Sequence, residues 1–365
     1  MHVPDGFIDA PTSVATGVVA AGAVAASLRG SRRELGGAER TAPLAGLVAA
    51  FIFAVQMLNF PVAAGTSGHL LGGALAAVLV GPYTGVLCVS VVLLLQAVLF
   101  ADGGLTALGV NILDMGVVTV LVAYGLFRLL VRLLPRGRGA VTASAFVAAL
   151  VSVPAAAVAF WGLYAVGGTA DVPLGKVFAA MVGVHVLIGL GEAAITALTV
   201  GAVIAVRPDL VHAARDRLAA PLVLRPSPVT GEPTREQPVP EEAPAPARTG
   251  VRTRRLWLAG LAVALVCAGG LSFYASADPD GLEKVAADNG IDEKEKEHSA
   301  KDSPLADYGV EDIANARLSG GLAGVIGVGA TLAVGSGVFV VLRRRRTERG
   351  QDRPAESGAP QSSER

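Results

Sequence analysis

The chain has 365 residues, of which 52% are hydrophobic and only 16% charged. Soluble globular domains carry about a quarter charged residues, so this composition points to the membrane. The formal net charge is zero, which leaves no global basic field to attract nucleic acid.

The chain opens on "MHVPDGFIDA". The stretch has neither the basic opening nor the apolar run of a signal peptide. Seven apolar runs follow, at 12–28, 42–59, 70–81, 83–100, 108–131, 140–166 and 174–206, and two more lie at 256–275 and 319–342. A membrane helix needs about 20 residues to cross ~30 Å of hydrocarbon. The third run is short and Gly-rich around His69–Gly73, which predicts a re-entrant or half-buried helix covered by protein. The fold class is therefore an all-α polytopic membrane protein, a seven-helix bundle joined to a two-helix membrane module.

Arginines sort by loop. They follow the first run (Arg29, Arg32, Arg33, Arg40), the fifth (Arg128, Arg132, Arg136, Arg138) and the seventh (Arg215, Arg217). Arg252, Arg254 and Arg255 precede the eighth run, and Arg343 to Arg346 follow the ninth. One topology of nine crossings places all of them in the cytoplasm, with the amino terminus outside and the carboxyl terminus inside. It also places Met1, the 60–69 and 101–107 loops and the segment 276–318 outside. Residues 207–255 contain "RPSPVTGEPTREQPVPEEAPAPARTG" and read as a disordered cytoplasmic linker between residues 1–206 and the module at 256–342. The outer segment 276–318 is acidic, with a short helix predicted near 281–288. In the ninth run Gly320 and Gly324 form a GxxxG pair, which predicts close helix packing. Residues 343–365 read as a basic, then polar, cytoplasmic tail.

Catalytic motifs are missing from the sequence. Ala170 and Val177 break the P-loop pattern around Gly175 and Lys176, and there is no HExxH or GxSxG. Any ATP hydrolysis therefore belongs to another chain. The cysteines, Cys88 and Cys267, lie in apolar runs and read as buried hydrophobes.

Nitrogen donors remain. The α-amine of Met1, the amide nitrogen of His2 and Nδ1 of His2 close two unstrained chelate rings on one ion. A fourth nitrogen completes the square plane that suits Ni(II) or Cu(II), and low-spin cobalt accepts the same set. His69, in "GTSGHLLGG" on the same side of the membrane, is either that fourth donor or a helix-end histidine at the interface. His185 and Glu192 share a face of the seventh helix. They read as an inter-helix hydrogen bond or as a functional pair in the membrane, an enzyme centre being the remote version. Gln96, Asp102, Asn111 and Asp114, around an outer loop and the start of the fifth helix, either orient a ligand histidine or cap and pack helix ends. His212 and His298 read as solvated.

The stretches "MHVPDGF", "GTSGHLLGGALAAVLVGP", "LLQAVLFADGGLTALGVNILDMG" and "GEAAITAL" resemble the CbiM/NikM substrate-binding membrane subunits of cobalt and nickel energy-coupling-factor (ECF) transporters. "PDGLEKVA" and "SPLADYGV" resemble the small CbiN/NikN-type partner subunit, so the whole is similar to a fused MN subunit. The resemblance implies a square-planar site from Met1, His2 and His69, with Co(II) or Ni(II) as the transported substrate. It also implies a CbiQ/NikQ-like transmembrane coupling protein and a CbiO/NikO-like cytoplasmic ATPase as partners, membrane lipid around the bundle and no nucleic acid. Val3 stands where the family commonly has Ile, and Asp114 where it often has Asn.

Overall fold

The computed structural model describes residues 1–35, 41–63, 65–218 and 249–351. The described helices are α1 (Ala10–Glu34), α2 (Thr41–Gln56), α3 (Gly73–Val80), α4 (Pro82–Leu99), α5 (Leu108–Leu133), α6 (Arg138–Gly167), α7 (Leu174–Val206), α8 (Thr249–Gly269), α9 (Gly281–Asn289) and α10 (Ala316–Gln351). A small antiparallel pair, β1 (Phe60–Ala63) and β2 (Thr66–Gly68), lies between α2 and α3 with Phe60 opposite Gly68 and Pro61 opposite Ser67. Seven of the described helices are long and apolar enough to cross a bilayer. The protein is a polytopic all-α membrane protein.

Side-chain distribution follows from the solvent. On α1 the buried face carries Thr12, Ser13, Thr16, Ala20, Ser27 and Ser31, while Val14, Val18 and Val19 point outward. Val18 is 69% exposed, which would be costly in water and is favourable against lipid. Small inward residues let helices approach closely. A Cβ on Gly109 of α5 would lie 2.4 Å from the Gly17 Cα of α1, so only glycine fits this crossing. Asp9 starts α1 by accepting the Thr12 N–H at 2.8 Å.

The third apolar run forms a short helix covered by protein, and its segment is not re-entrant. Its helix, α3, has eight residues, all buried, and covers ~12 Å at the usual rise per residue. The chain nevertheless passes from one end of the bundle to the other. His69 meets Met1 at one end, and Tyr83 and Thr84 donate backbone N–H groups to Glu34 at the opposite end. Extended residues before α3 cover the rest of the distance, and Glu192 of α7 accepts the buried N–H groups of Leu71 and Gly72 there. Irregular backbone at membrane depth survives because protein satisfies it. Gly72 takes φ +86, and a Cβ on it would meet Ile52 at 2.6 Å.

The remaining loops alternate between those two ends. At the first, Gly104 N–H donates to Val3, Thr169 to Phe7, Ser276 to Asn59 and Asp307 to Phe100. At the second, Arg128 donates to the Ala213 carbonyl at 3.0 Å and pairs with Asp216 at 3.2 Å. The two-helix module is packed into the bundle: α10 runs along α2 and α8. The close approach expected of the GxxxG pair falls at Gly324, where a Cβ would meet the Ala268 carbonyl oxygen at 2.4 Å.

Two corrections concern the linker and tail. Pro208–Leu210 and His212–Ala214 form 3-10 turns followed by a helical turn at Arg215–Leu218, with Leu210, Val211, Ala213 and Ala214 buried. These apolar residues close the end of the bundle, which is why 207–218 is ordered rather than linker. Residues 249–255 belong to α8, and helix α10 carries 343–351. The Pro-rich remainder, 219–248, and the tail beyond 351 lie outside the described residues, as does Arg40.

Candidate metal centre

The amino-terminal segment enters the site between two loops. Asp5 accepts the Thr106 N–H at 2.8 Å and the Thr106 hydroxyl, and its carbonyl accepts Lys296 N–H at 2.8 Å. Asn111 holds Val3 from both sides: its Oδ1 accepts the Val3 N–H at 2.8 Å, and its Nδ2 donates to the Val3 carbonyl at 3.1 Å. These bonds immobilise a chain end that would otherwise fray. Gly103 (φ +78) permits the close pass, since a Cβ there would lie 2.9 Å from Asn111 Nδ2 and 3.2 Å from His2 Cβ.

Met1 ends up buried, 2% exposed, with its amine 2.7 Å from His69 Nε2 and 2.6 Å from Asp280 Oδ2. The His2 and His69 rings stack with centroids 5.1 Å apart and planes 21° apart. His2 Nδ1 lies 3.2 Å from Asp102 Oδ1, and its Nε2 lies 3.2 Å from Gln96 Oε1. Burial pushes the His2 imidazole down to about 4, against the opposing pull of Asp102. Nδ1 of His69 lies 3.0 Å from the Leu70 carbonyl, which leaves Nε2 facing the amine. A cavity of about 820 Å³ borders His2, His69, Asp102, Asp280 and Tyr308.

The structure therefore brings Met1, His2 and His69 together, and it seats Gln96 and Asn111 directly on the chain end. Glu192 acts one step away, on the turn that follows His69. His185 and Asp114 do not join the cluster. His185 Nδ1 lies 2.7 Å from the Met181 carbonyl of its own helix, and its Nε2 and both Asp114 oxygens have no hydrogen-bond partner among the described residues. Of the His185–Glu192 pair, Glu192 alone bonds to another segment, the irregular backbone before α3, and His185 bonds only within its own helix. His298, expected to be solvated, lies with Nε2 3.2 Å from the Gly103 carbonyl, and His212 is half-buried.

Two residues of the site were not anticipated. Asp280, in "PDGLE", reaches the amine from the second module. Burial alone would raise its carboxyl, but the Met1 amine and His69 outweigh that and hold it well below the usual carboxylate range. Tyr308 donates its hydroxyl to Asp102 and accepts from Gln96 Nε2 at 3.0 Å, so it braces both groups that flank His2. One signal was available in the sequence: Asp280 and Glu283 have capping-box spacing. Glu283 Oε2 does accept the Asp280 N–H at 2.8 Å, while Asp280 Oδ1 accepts from Leu282 and Glu283.

Comparison with known proteins follows the same division. Residues 2–210 match the family model described as the cobalt uptake substrate-specific transmembrane region, and residues 254–344 match the PDGLE domain. A putative fused nickel transport protein of Archaeoglobus fulgidus is 39% identical over 227 residues, 61% of this chain and 72% of the relative. A putative metal transport protein of Haloquadratum walsbyi is 41% identical over 211 residues, 58% of this chain and 93% of the relative. A cobalt transport protein of Streptomyces coelicolor is 36% identical over 132 residues, 36% of this chain and 57% of the relative. A crystal structure of a transition metal transporter superposes with a TM-score of 0.51 and 28% identity, over 60% of this chain and 100% of that one. Since the first of those family models spans more than half of its length, the chain belongs to the cobalt uptake substrate-specific transmembrane family, with a PDGLE domain following in the same chain.

Proposed function

We propose that this chain is the substrate-capture membrane component of an ATP-driven cobalt or nickel uptake transporter. It takes Co(II) or Ni(II) through the Met1 amine, the His2 amide and Nδ1, and His69 Nε2. One observation carries the reading: the Met1 nitrogen and His69 Nε2 lie 2.7 Å apart. Two nitrogens side by side on one ion, each bonded at ~2.0 Å and at right angles, are separated by ~2.8 Å. That separation suits two neighbouring corners of a square plane, and the His2 ring stands beside them.

The bundle end that holds Arg128 and Arg132 is the cytoplasmic one by the positive-inside rule, so the metal centre faces outward. The relatives named for nickel and cobalt transport favour the same cargo. With no P-loop in the sequence, ATP hydrolysis falls to a CbiO/NikO-like ATPase, coupled through a CbiQ/NikQ-like membrane protein. Reorientation of the helix bundle then carries the ion inward. Calorimetric titration of the purified full chain with Ni(II) and Co(II) tests the site. Tight binding is expected, lost in His2→Ala; unchanged affinity in that variant would refute it.

A second reading is a membrane metal sensor or scaffold that binds without transport. It predicts equal cellular metal uptake with and without the partner ATPase, whereas the transporter reading predicts uptake only with it. An enzyme built on Glu192 gains no support, because both carboxylate oxygens are engaged by backbone N–H groups.

A further inference from the structure

The second module places an acid on the donors themselves. Asp280 Oδ2 lies 2.6 Å from the Met1 nitrogen and 3.6 Å from His69 Nε2. Its carboxylate and the ring nitrogens of His2 and His69 offer donor atoms all within 4.8 Å of one another. The two oxygens of Asp280 divide their work. Oδ1 caps α9 by accepting the N–H groups of Leu282 at 2.7 Å and Glu283 at 2.9 Å, which fixes the carboxyl plane. Oδ2 is left facing the amine and His69.

Position is fixed from the segment before His69 as well. Ser67, two residues before His69, donates its N–H to the Pro279 carbonyl at 2.9 Å and its hydroxyl to the Asp278 carbonyl at 2.7 Å. Asp280 and His69 are therefore carried on two segments joined directly beside them, and the acid is not a chance surface neighbour.

The chemistry of filling gives such an oxygen a task. A hydrated divalent cation meets an oxygen anion readily, whereas the His2 amide nitrogen becomes a donor only on losing its proton. The nitrogen set is slow to assemble around a free ion, and a carboxylate at the amine shortens the route. Resting on the capture site proposed above, we infer that Asp280 is a transient ligand of the incoming cation. Oδ2 and His69 Nε2 take the ion first. The ion then moves onto the Met1 amine and the His2 amide and Nδ1. The amide proton leaves to water in the adjoining cavity, and Oδ2 is released. The second module thus supplies a step on the path to the site and no donor of the filled square plane.

The test is rapid mixing of the full chain, in lipid nanodiscs, with Ni(II) alone, following the absorption of the square-planar nickel–amide complex. Asp280→Asn keeps a good helix cap and removes the anionic donor. Asp280→Ser also caps but is too short to reach. Filling is expected to slow about tenfold or more in both, at the lower edge of what loss of a supporting group costs a metal site. A transient ligand lowers one barrier crossed in both directions, so chelator-driven release slows as well. The final spectrum stays unchanged, and it also reports that the variants fold; the readout is the pair of rates, since Asp280 also pairs with the Met1 amine in the empty site. Asp278→Asn, an exposed acid two residues away, leaves the rates alone if direct ligation rather than general electrostatic attraction is responsible. Faster or unchanged filling in Asp280→Asn would overturn the inference and make Asp280 a lock on the amine. An altered final spectrum would overturn it too, by making Asp280 a permanent ligand. If the wild-type chain shows no such absorption, the capture site itself fails, an outcome distinct from all of these.

Discussion

The amino-terminal segment and the arm of the second module meet at one nitrogen, yet they are held by different means. The amino-terminal segment is held chiefly by the seven-helix bundle: Asn111 brackets Val3, Asp5 ties to Thr106, and Glu192 sets the turn after His69. The arm is fixed by its own short helix and by backbone bonds at Ser67, and it reaches the site through Asp280 and Tyr308. In the reading proposed above, groups that hold the donors from within the bundle govern how tightly an ion stays, and groups that reach in from outside govern how it enters. The separation of affinity from access can be broken or sharpened by experiment.

The largest effect is expected from the chain end. Two residues added ahead of Met1, whose amine is buried between His69 and Asp280, leave no free amine in the site. Titration should show nickel affinity reduced by more than about 100-fold, beyond the usual cost of losing an outer partner. Retained affinity would remove the amine from the ligand set. Next, Asn111→Ala frees the Val3 backbone without touching a donor. Affinity should fall about 10- to 100-fold, and if instead only the filling rate changes, the division between bundle and arm is wrong.

Glu192→Ala leaves the buried N–H groups of Leu71 and Gly72 unpaired, at about 1–3 kcal/mol for each. Thermal unfolding should shift to lower temperature, with a matching loss of affinity because His69 precedes that turn. Gly324→Val forces α10 away from Ala268 of α8, an overpacking cost of about 1–3 kcal/mol. Hydrogen exchange should rise in α8 to α10, while equilibrium nickel affinity holds if the bundle alone sets it.

The smallest effect lies at the opposite end of the molecule. Burial, with Arg215 and Arg128 nearby, pushes the His212 imidazole from 6.5 down to about 4. Between those two values the unfolded chain binds the extra proton, so stability rises with pH there. His212 should therefore destabilise residues 207–218 progressively as pH falls from 6.5 towards 4, and His212→Gln should flatten that slope in hydrogen exchange. Metal affinity, read at neutral pH, should not respond.

Much of this was legible in the residues. Apolar runs located the helices because the bilayer core demands length and apolarity whatever the neighbours are. Met1 and His2 announced a chelate because their donors are adjacent in the chain. His69 needed an inference about membrane sides, and the short α3 needed knowledge of Glu192, more than a hundred residues away, which satisfies its irregular approach. The order of 207–218 was hidden because Val211, Ala213 and Ala214 become buried only against the end of a finished bundle.

By itself, the sequence determined the membrane class and the family resemblance of its two parts, and it pointed to three candidate nitrogen donors within the first two residues, since each depends on local composition or on covalent neighbours. Only the tertiary structure decided that Asp280 and Tyr308 share that site and that Asp114 and His185 do not. Their roles depend on which side chains long-range packing brings within about 3 Å of a nitrogen, and no spacing along the chain encodes that distance.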